Sequence, residues 1–191
     1  MGIISKVIVN SVVAIVACLL VGIAFHGWSV FNPQSAAFEF VLFGSLGSLF
    51  FFSLKANRRQ SFAVLLVLFF IQSSLITKSY FSVYLLRDAV FFLAVSGATY
   101  LFFIYFHRPA LRDKWLEPLI LAVVFALSFF IALVALHVFR GIFLSLEQLR
   151  FVIIPVMENG FLIGLGIGLG IVLVEIDLLQ WLRTRIKALF S

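Results

Sequence analysis

Six stretches of this chain stay apolar for long enough to cross about 30 Å of hydrocarbon, which takes about 20 helical residues. They lie near 7–27, 36–54, 62–84, 89–106, 118–138 and 151–173. Inside a bilayer every backbone N–H and C=O must find its partner within the protein, so such a segment is a helix or a strand of a closed barrel. The runs are continuous rather than alternating, which speaks against the barrel. The expected fold is therefore an all-α integral membrane protein, with one transmembrane domain over 1–191 arranged as a bundle of six helices.

The polar content agrees with this. Only 12% of residues are charged and 64% are hydrophobic, whereas soluble domains run near 25% and about 45–50%. Too little polar material is present to coat an aqueous surface. The 25 phenylalanines read as lipid-facing bulk. The single Cys18 excludes an intrachain disulfide and a cysteine-based metal site. Net charge is +6, but the basic residues come as short clusters between apolar runs. That placement suits anionic headgroups and not nucleic acid.

The same clusters predict orientation. Lys6, Lys55, Arg58, Arg59, Arg108, Arg112, Lys114, Arg183, Arg185 and Lys187 collect on one side, leaving Lys78, Arg87, Arg140 and Arg150 on the other. The positive-inside rule then puts both termini in the cytoplasm, with the chain in the cytoplasmic (plasma or inner) membrane. Between the fifth and sixth runs, 141–150 mixes apolar and polar residues and is expected to form a short helix on the membrane surface.

The sixth run, from Pro155 to Leu173, carries Gly160, Gly164, Gly166, Gly168 and Gly170. Each glycine inside a helix costs roughly 1 kcal/mol relative to alanine, so five need a common cause. At about 100° per residue, Gly160, Gly164 and Gly168 form one stripe and Gly166 and Gly170 another. Two stripes place this helix centrally, wedged between two neighbours that approach closely. Ala14, Cys18 and Gly22 form a third small-residue stripe, on the first run. That stripe fits either packing within the chain or docking to a separate membrane subunit through helices 1 and 6.

Ionisable residues mark where chemistry could sit. An intramembrane charge costs at least about 2.5–3.5 kcal/mol on insertion scales, so it normally faces a wet cavity or an opposite charge. By sequence depth, His26, Glu39, Lys78, Arg87, His137, Arg140 and Glu158 fall in the outer half, while the inner halves of the six runs are nearly free of charge. Glu158 is the deepest carboxylate, beside Asn159 and just past Pro155. Glu158, Asn159, Lys78, Glu39, His137 and His26 are therefore the candidate substrate-binding residues, lining a polar pocket open to the outside. The competing reading is that these charges form ion pairs that only lock the bundle. A haem between His26 and His137 is disfavoured, because both fall near the interface while haem ligands sit well inside a bundle. No cofactor and no metal are expected.

Enzyme signatures are absent: there is no H-E-x-x-H, G-x-S-x-G or phosphate-binding glycine loop, so the chain is not expected to be an enzyme. Two functions remain. One is a small-solute binding or transport subunit with an outward polar pocket. The other is a non-catalytic assembly or scaffold subunit of a larger membrane complex. In size, helix number and inside termini the chain resembles the substrate-binding subunits of energy-coupling-factor transporters. Their first-helix A-x-x-x-A pattern corresponds here to Ala14-x-x-x-Cys18, so the resemblance is one of architecture.

Overall fold

A computed structural model describes residues 3–32, 35–76, 83–107, 114, 116–139 and 146–176. Every regular element among them is helical. Six α-helices follow in chain order: α1 (Ile3–His26), α2 (Glu39–Ala56), α3 (Arg58–Ile76), α4 (Val83–Leu101), α5 (Leu116–Phe139) and α6 (Leu146–Glu175). Among the described residues, five spans are long and apolar enough to cross a membrane: Ile3–Phe31, Glu39–Ala56, Ala89–Phe106, Leu116–Phe139 and Arg150–Glu175. The protein is an all-helical membrane protein.

Local sequence explains where the helices stop. Gly27 follows α1 with φ +60°, the left-handed conformation that ends helices and that glycine adopts without a Cβ penalty. A tight 3-10 turn over Gly27–Phe31 then carries the chain away. At the other end of the molecule α4 does not simply stop. Phe102–Phe106 forms a π turn, and the His107 N–H donates to the Phe102 carbonyl five residues back at 2.9 Å. The surface helix expected over 141–150 differs from what is found. From Leu146 onward this stretch is the opening of α6, which runs 30 residues with Pro155 inside it, and 141–145 lie outside the described residues. Proline lacks an N–H and interrupts the helical ladder; here it lies on an exposed face, where no neighbouring helix depends on that bond.

Helix α6 packs principally on α5 and α1, and also touches α2. A Cβ built on Gly160, Gly164 or Gly168 would strike Phe129, the Leu121 carbonyl and Pro118 respectively, all on α5. One built on Gly166 or Gly170 would strike Cys18 or Ala14 on α1. The two glycine stripes thus face two different helices, with α6 between them. The Ala14–Cys18–Gly22 stripe faces inward as well: Gly22 meets Phe40 of α2, and the Cys18 Sγ lies 3.9 Å from the Phe40 carbonyl and 3.7 Å from the Ile163 carbonyl.

Phenylalanine meets the expectation of lipid-facing bulk only in part. Phe40, Phe50, Phe51, Phe102, Phe125 and Phe129 are among the most deeply buried side chains. Phe43, Phe91 and Phe129 meet edge-on or stacked, with ring centroids 5.1–6.1 Å apart. The reason is complementary size. Lipid tails are as apolar as leucine, so helix association in a bilayer depends on close van der Waals contact. Rings supply many such contacts where glycine opposite leaves room, as Phe129 does at Gly160 and Phe40 at Gly22. Other phenylalanines do face outward, among them Phe25, Phe139 and Phe151, together with aliphatic residues such as Ile4, Ile8, Val12, Val16 and Leu20 of α1.

Candidate functional site

Two polar groups occupy opposite ends of the α2–α6 pair. Glu39 and Lys55, near the two ends of α2, are sixteen residues apart, or about 24 Å at 1.5 Å per residue.

The first group is centred on Glu39, in the opening turn of α2. A carboxylate here gains from the positive end of the helix dipole. One Glu39 oxygen accepts from the Asn159 amide of α6 at 3.5 Å, and the other lies 3.8 Å from the Arg87 guanidinium of α4. His26 closes α1 nearby in sequence and rests its ring on Phe40, centroids 5.2 Å apart; its Nε2 is buried with no hydrogen-bond partner. Glu39 and Asn159, two of the six candidate binding residues, thus meet in space. Glu158 points elsewhere, onto an exposed face of α6. His137 turns its Nδ1 to the Leu133 carbonyl of its own helix at 2.8 Å. Lys78 lies outside the described residues.

The second group lies at the Lys/Arg-rich end, and sequence depth passed it over. Four elements converge there. Lys55 ends α2, His107 follows the π turn, Glu117 opens α5 and Glu175 ends α6. The His107 Nδ1 is 3.4 Å from Glu117 Oε2, and its Nε2 is 3.4 Å from Glu175 Oε1. Lys55 Nζ donates to Glu175 Oε1 at 2.6 Å, and Lys114 Nζ lies 3.6 Å from Glu175 Oε2. The His107 ring sits in an aromatic surround, edge-on to Phe51 at 5.1 Å and stacked on Phe103 at 5.9 Å. Arg58 of α3 lies over the Phe103 ring, 5.3 Å from its centroid.

Exposure separates the parts of this cluster. The lysine side chains are 45% and 36% exposed, and the Glu175 side chain 8%. Glu117 is 1% exposed, and its Oε1 has no hydrogen-bond partner. The cluster therefore runs from solvent, through Glu175 and His107, to a carboxylate oxygen sealed in the protein. Lys55 stands at the wet end, where an ion pair is worth about 0–1 kcal/mol, and Lys114 also faces Glu175. Replacing Lys55 with methionine is accordingly expected to shift the thermal midpoint by a few degrees at most. A loss comparable to a core substitution would show that the pair carries the fold.

The signal for this cluster was present but dispersed. Glu117 precedes Pro118 at the start of one run, Glu175 closes another, and His107 ends a third. Each alone reads as an interfacial residue. Comparisons with protein-family models, curated proteins and solved structures return no match, so function is argued from this geometry.

Proposed function

We propose that this chain is a small-solute binding or transport subunit that works through polar groups built into the helix bundle. The observation that carries the reading is Glu117, a carboxylate buried to 1% at the start of a span-capable helix with one oxygen unpartnered. A group so costly to bury persists where it is used, as ionisable residues in membrane spans generally are. The Glu39–Asn159–Arg87 group at the opposite end supplies a second polar site, and its donors and carboxylate suit a small polar or charged solute. We place the Lys/Arg-rich end on the cytoplasmic side by the positive-inside rule, in a plasma or inner membrane, with the outer site built from Glu39 and Asn159.

The test is uptake into proteoliposomes of a panel of amino acids, sugars, nucleobases and inorganic ions. At least one solute is expected to accumulate, and Glu39→Gln, which keeps the shape and removes the charge, is expected to abolish that uptake while the protein still elutes as a folded species. Uptake unchanged by Glu39→Gln would remove the outer site from the reading.

One observation favours the second reading, an assembly subunit of a larger membrane complex. Phe151, Ile154 and Glu158 are all exposed on α6, and they fall near one face at helical spacing. A carboxylate on an otherwise apolar face is what a neighbouring subunit carrying a basic residue would cover. Stoichiometric co-purification with other membrane proteins, lost in Glu158→Ala and accompanied by no solute uptake, would favour this reading over transport.

A further inference from the structure

The cluster at the Lys/Arg-rich end sets a histidine between two carboxylates, one of them 1% exposed with an oxygen that has no hydrogen-bond partner. His107 presents a different ring nitrogen to each of two carboxylates, Nδ1 to Glu117 and Nε2 to Glu175, both at 3.4 Å. A neutral imidazole carries one N–H. The Nδ1 contact has hydrogen-bond geometry, whereas the Nε2 contact is an ion-pair distance only, and Glu175 Oε1 already accepts from Lys55. With both carboxylates ionised and the ring neutral, the Nδ1–H donates to Glu117 and the negative charge of that buried carboxylate stays unbalanced; one added proton removes the imbalance. Either the imidazolium donates to Glu117 and faces Glu175, or a protonated Glu117 donates to Nδ1 while the Nε2–H faces Glu175. The two arrangements differ only by a proton moved along the Nδ1–Oε2 contact.

We infer that His107, Glu117 and Glu175 form a proton-binding site, loaded and emptied from the Lys/Arg-rich end of the bundle. A proton from solvent reaches Glu175, whose side chain is 8% exposed, and passes to the Nε2 of His107. Transfer from the Nδ1–H to Glu117 Oε2 then leaves a neutral ring and a carboxylic acid, with the proton count unchanged. Two independent features support a site over a passive lock. Glu117 Oε1 is buried and unpartnered, although a lock would satisfy it. The π turn over Phe102–Phe106 sets the position of His107, and such turns are frequent at functional sites.

Among the described residues, the charged groups facing the site are Lys55 from α2, Arg58 over the Phe103 ring from α3, Lys114 from the segment before α5, and Glu175 from α6. The lysines balance the charge of Glu175, which leaves the shared proton to the His107–Glu117 pair. A divalent cation is the competing occupant, since the three donor groups lie within 4.8 Å of one another. It would have to displace Lys55 from a 2.6 Å contact. It could also take only one of the two His107 nitrogens that now face carboxylates on opposite edges of the ring.

The proton site stands on its own spectrum, and only its coupling to solute movement rests on the transport reading above. The experiment uses full-length protein in nanodiscs with 15N-labelled histidine. The chain has three histidines, so the His107 signal is assigned by its loss in His107→Gln, and carboxyl protonation is followed by infrared spectroscopy. At neutral pH the expected result is one extra proton: a doubly protonated His107 ring, or a protonated-carboxyl band that disappears in Glu117→Gln and persists in Glu39→Gln. A neutral His107 ring with no such band overturns the proposal, as does one equivalent of Zn2+ bound by the wild type and lost in Glu117→Gln. Proteoliposomes containing a pH-sensitive dye separate the two claims. Proton flux lost in Glu117→Gln supports coupling. The spectroscopic signature without flux upholds the proton site and overturns the transport reading.

Discussion

Replacing Gly166 with valine lowers the thermal midpoint of the purified protein by on the order of 5–10 °C and loosens α1 from α6. A Cβ at this position would lie 2.5 Å from the Cys18 Cα, with the Cys18 Cβ and Sγ at 3.1 and 3.2 Å. The nearest obstruction is backbone, so no rotamer change relieves it, and the helices must separate. Overpacking usually costs about 1–3 kcal/mol, and this site belongs at the upper end because two helix axes move together. In a bilayer the loss is not offset by hydrophobic burial, since lipid solvates the exposed surface as well as protein did. Gly97 supplies the control. No atom lies within 4 Å of a Cβ built there, so Gly97→Ala is expected to be neutral or to stabilise by up to about 1 kcal/mol. Thermal unfolding followed by intrinsic fluorescence checks both, and equal losses at the two positions would mean that the close approach of α1 and α6 is not what holds the bundle.

Glu117→Gln is expected to separate stability from activity. The amide keeps the volume and can still accept a hydrogen bond from His107, but it removes a charge that the interior does not fully pair. Removing one partner of a buried ion pair costs about 3–5 kcal/mol where the other is left charged. An imidazole avoids that cost by giving up its proton, so the thermal midpoint should stay within a few degrees of the wild type. Any solute uptake that depends on this site should at the same time fall to background. Unfolding scans and proteoliposome uptake on the same preparation measure the pair of effects. A destabilised variant with intact uptake would assign Glu117 to the framework.

How much of this could be read from the residues depends on how far apart the relevant ones lie in the chain. The role of the glycines in α6 was legible because helical periodicity sorts them into stripes, and each stripe does meet a different helix. The Glu39–Asn159 contact was legible as a similarity of depth, which is why the two were grouped. Phenylalanine was legible only in part, because hydrophobicity ranks it as fit for lipid while the shape of a ring also suits the space opposite glycine. The cluster of His107, Glu117 and Glu175 was not legible. Its members come from three runs and meet only through the packing of α5 on α6 and the extra residue of the π turn. Neither depends on local pattern, and each residue taken singly resembles any polar group at the edge of a membrane.

Cys18 is the chain's only thiol and is fully buried where α1 meets α2 and α6. Thiol reagents require access to the sulfur, and here three helices deny it. The natural protein is therefore its own silent background for cysteine chemistry. A single cysteine introduced at exposed Ser29 or at exposed Ala56, toward opposite ends of the bundle, would be the sole labelled position on an otherwise unaltered chain. Spin labels, fluorophores or membrane-impermeant reagents could then report on sidedness and helix movement without first mutating the crossing that α1 and α6 share.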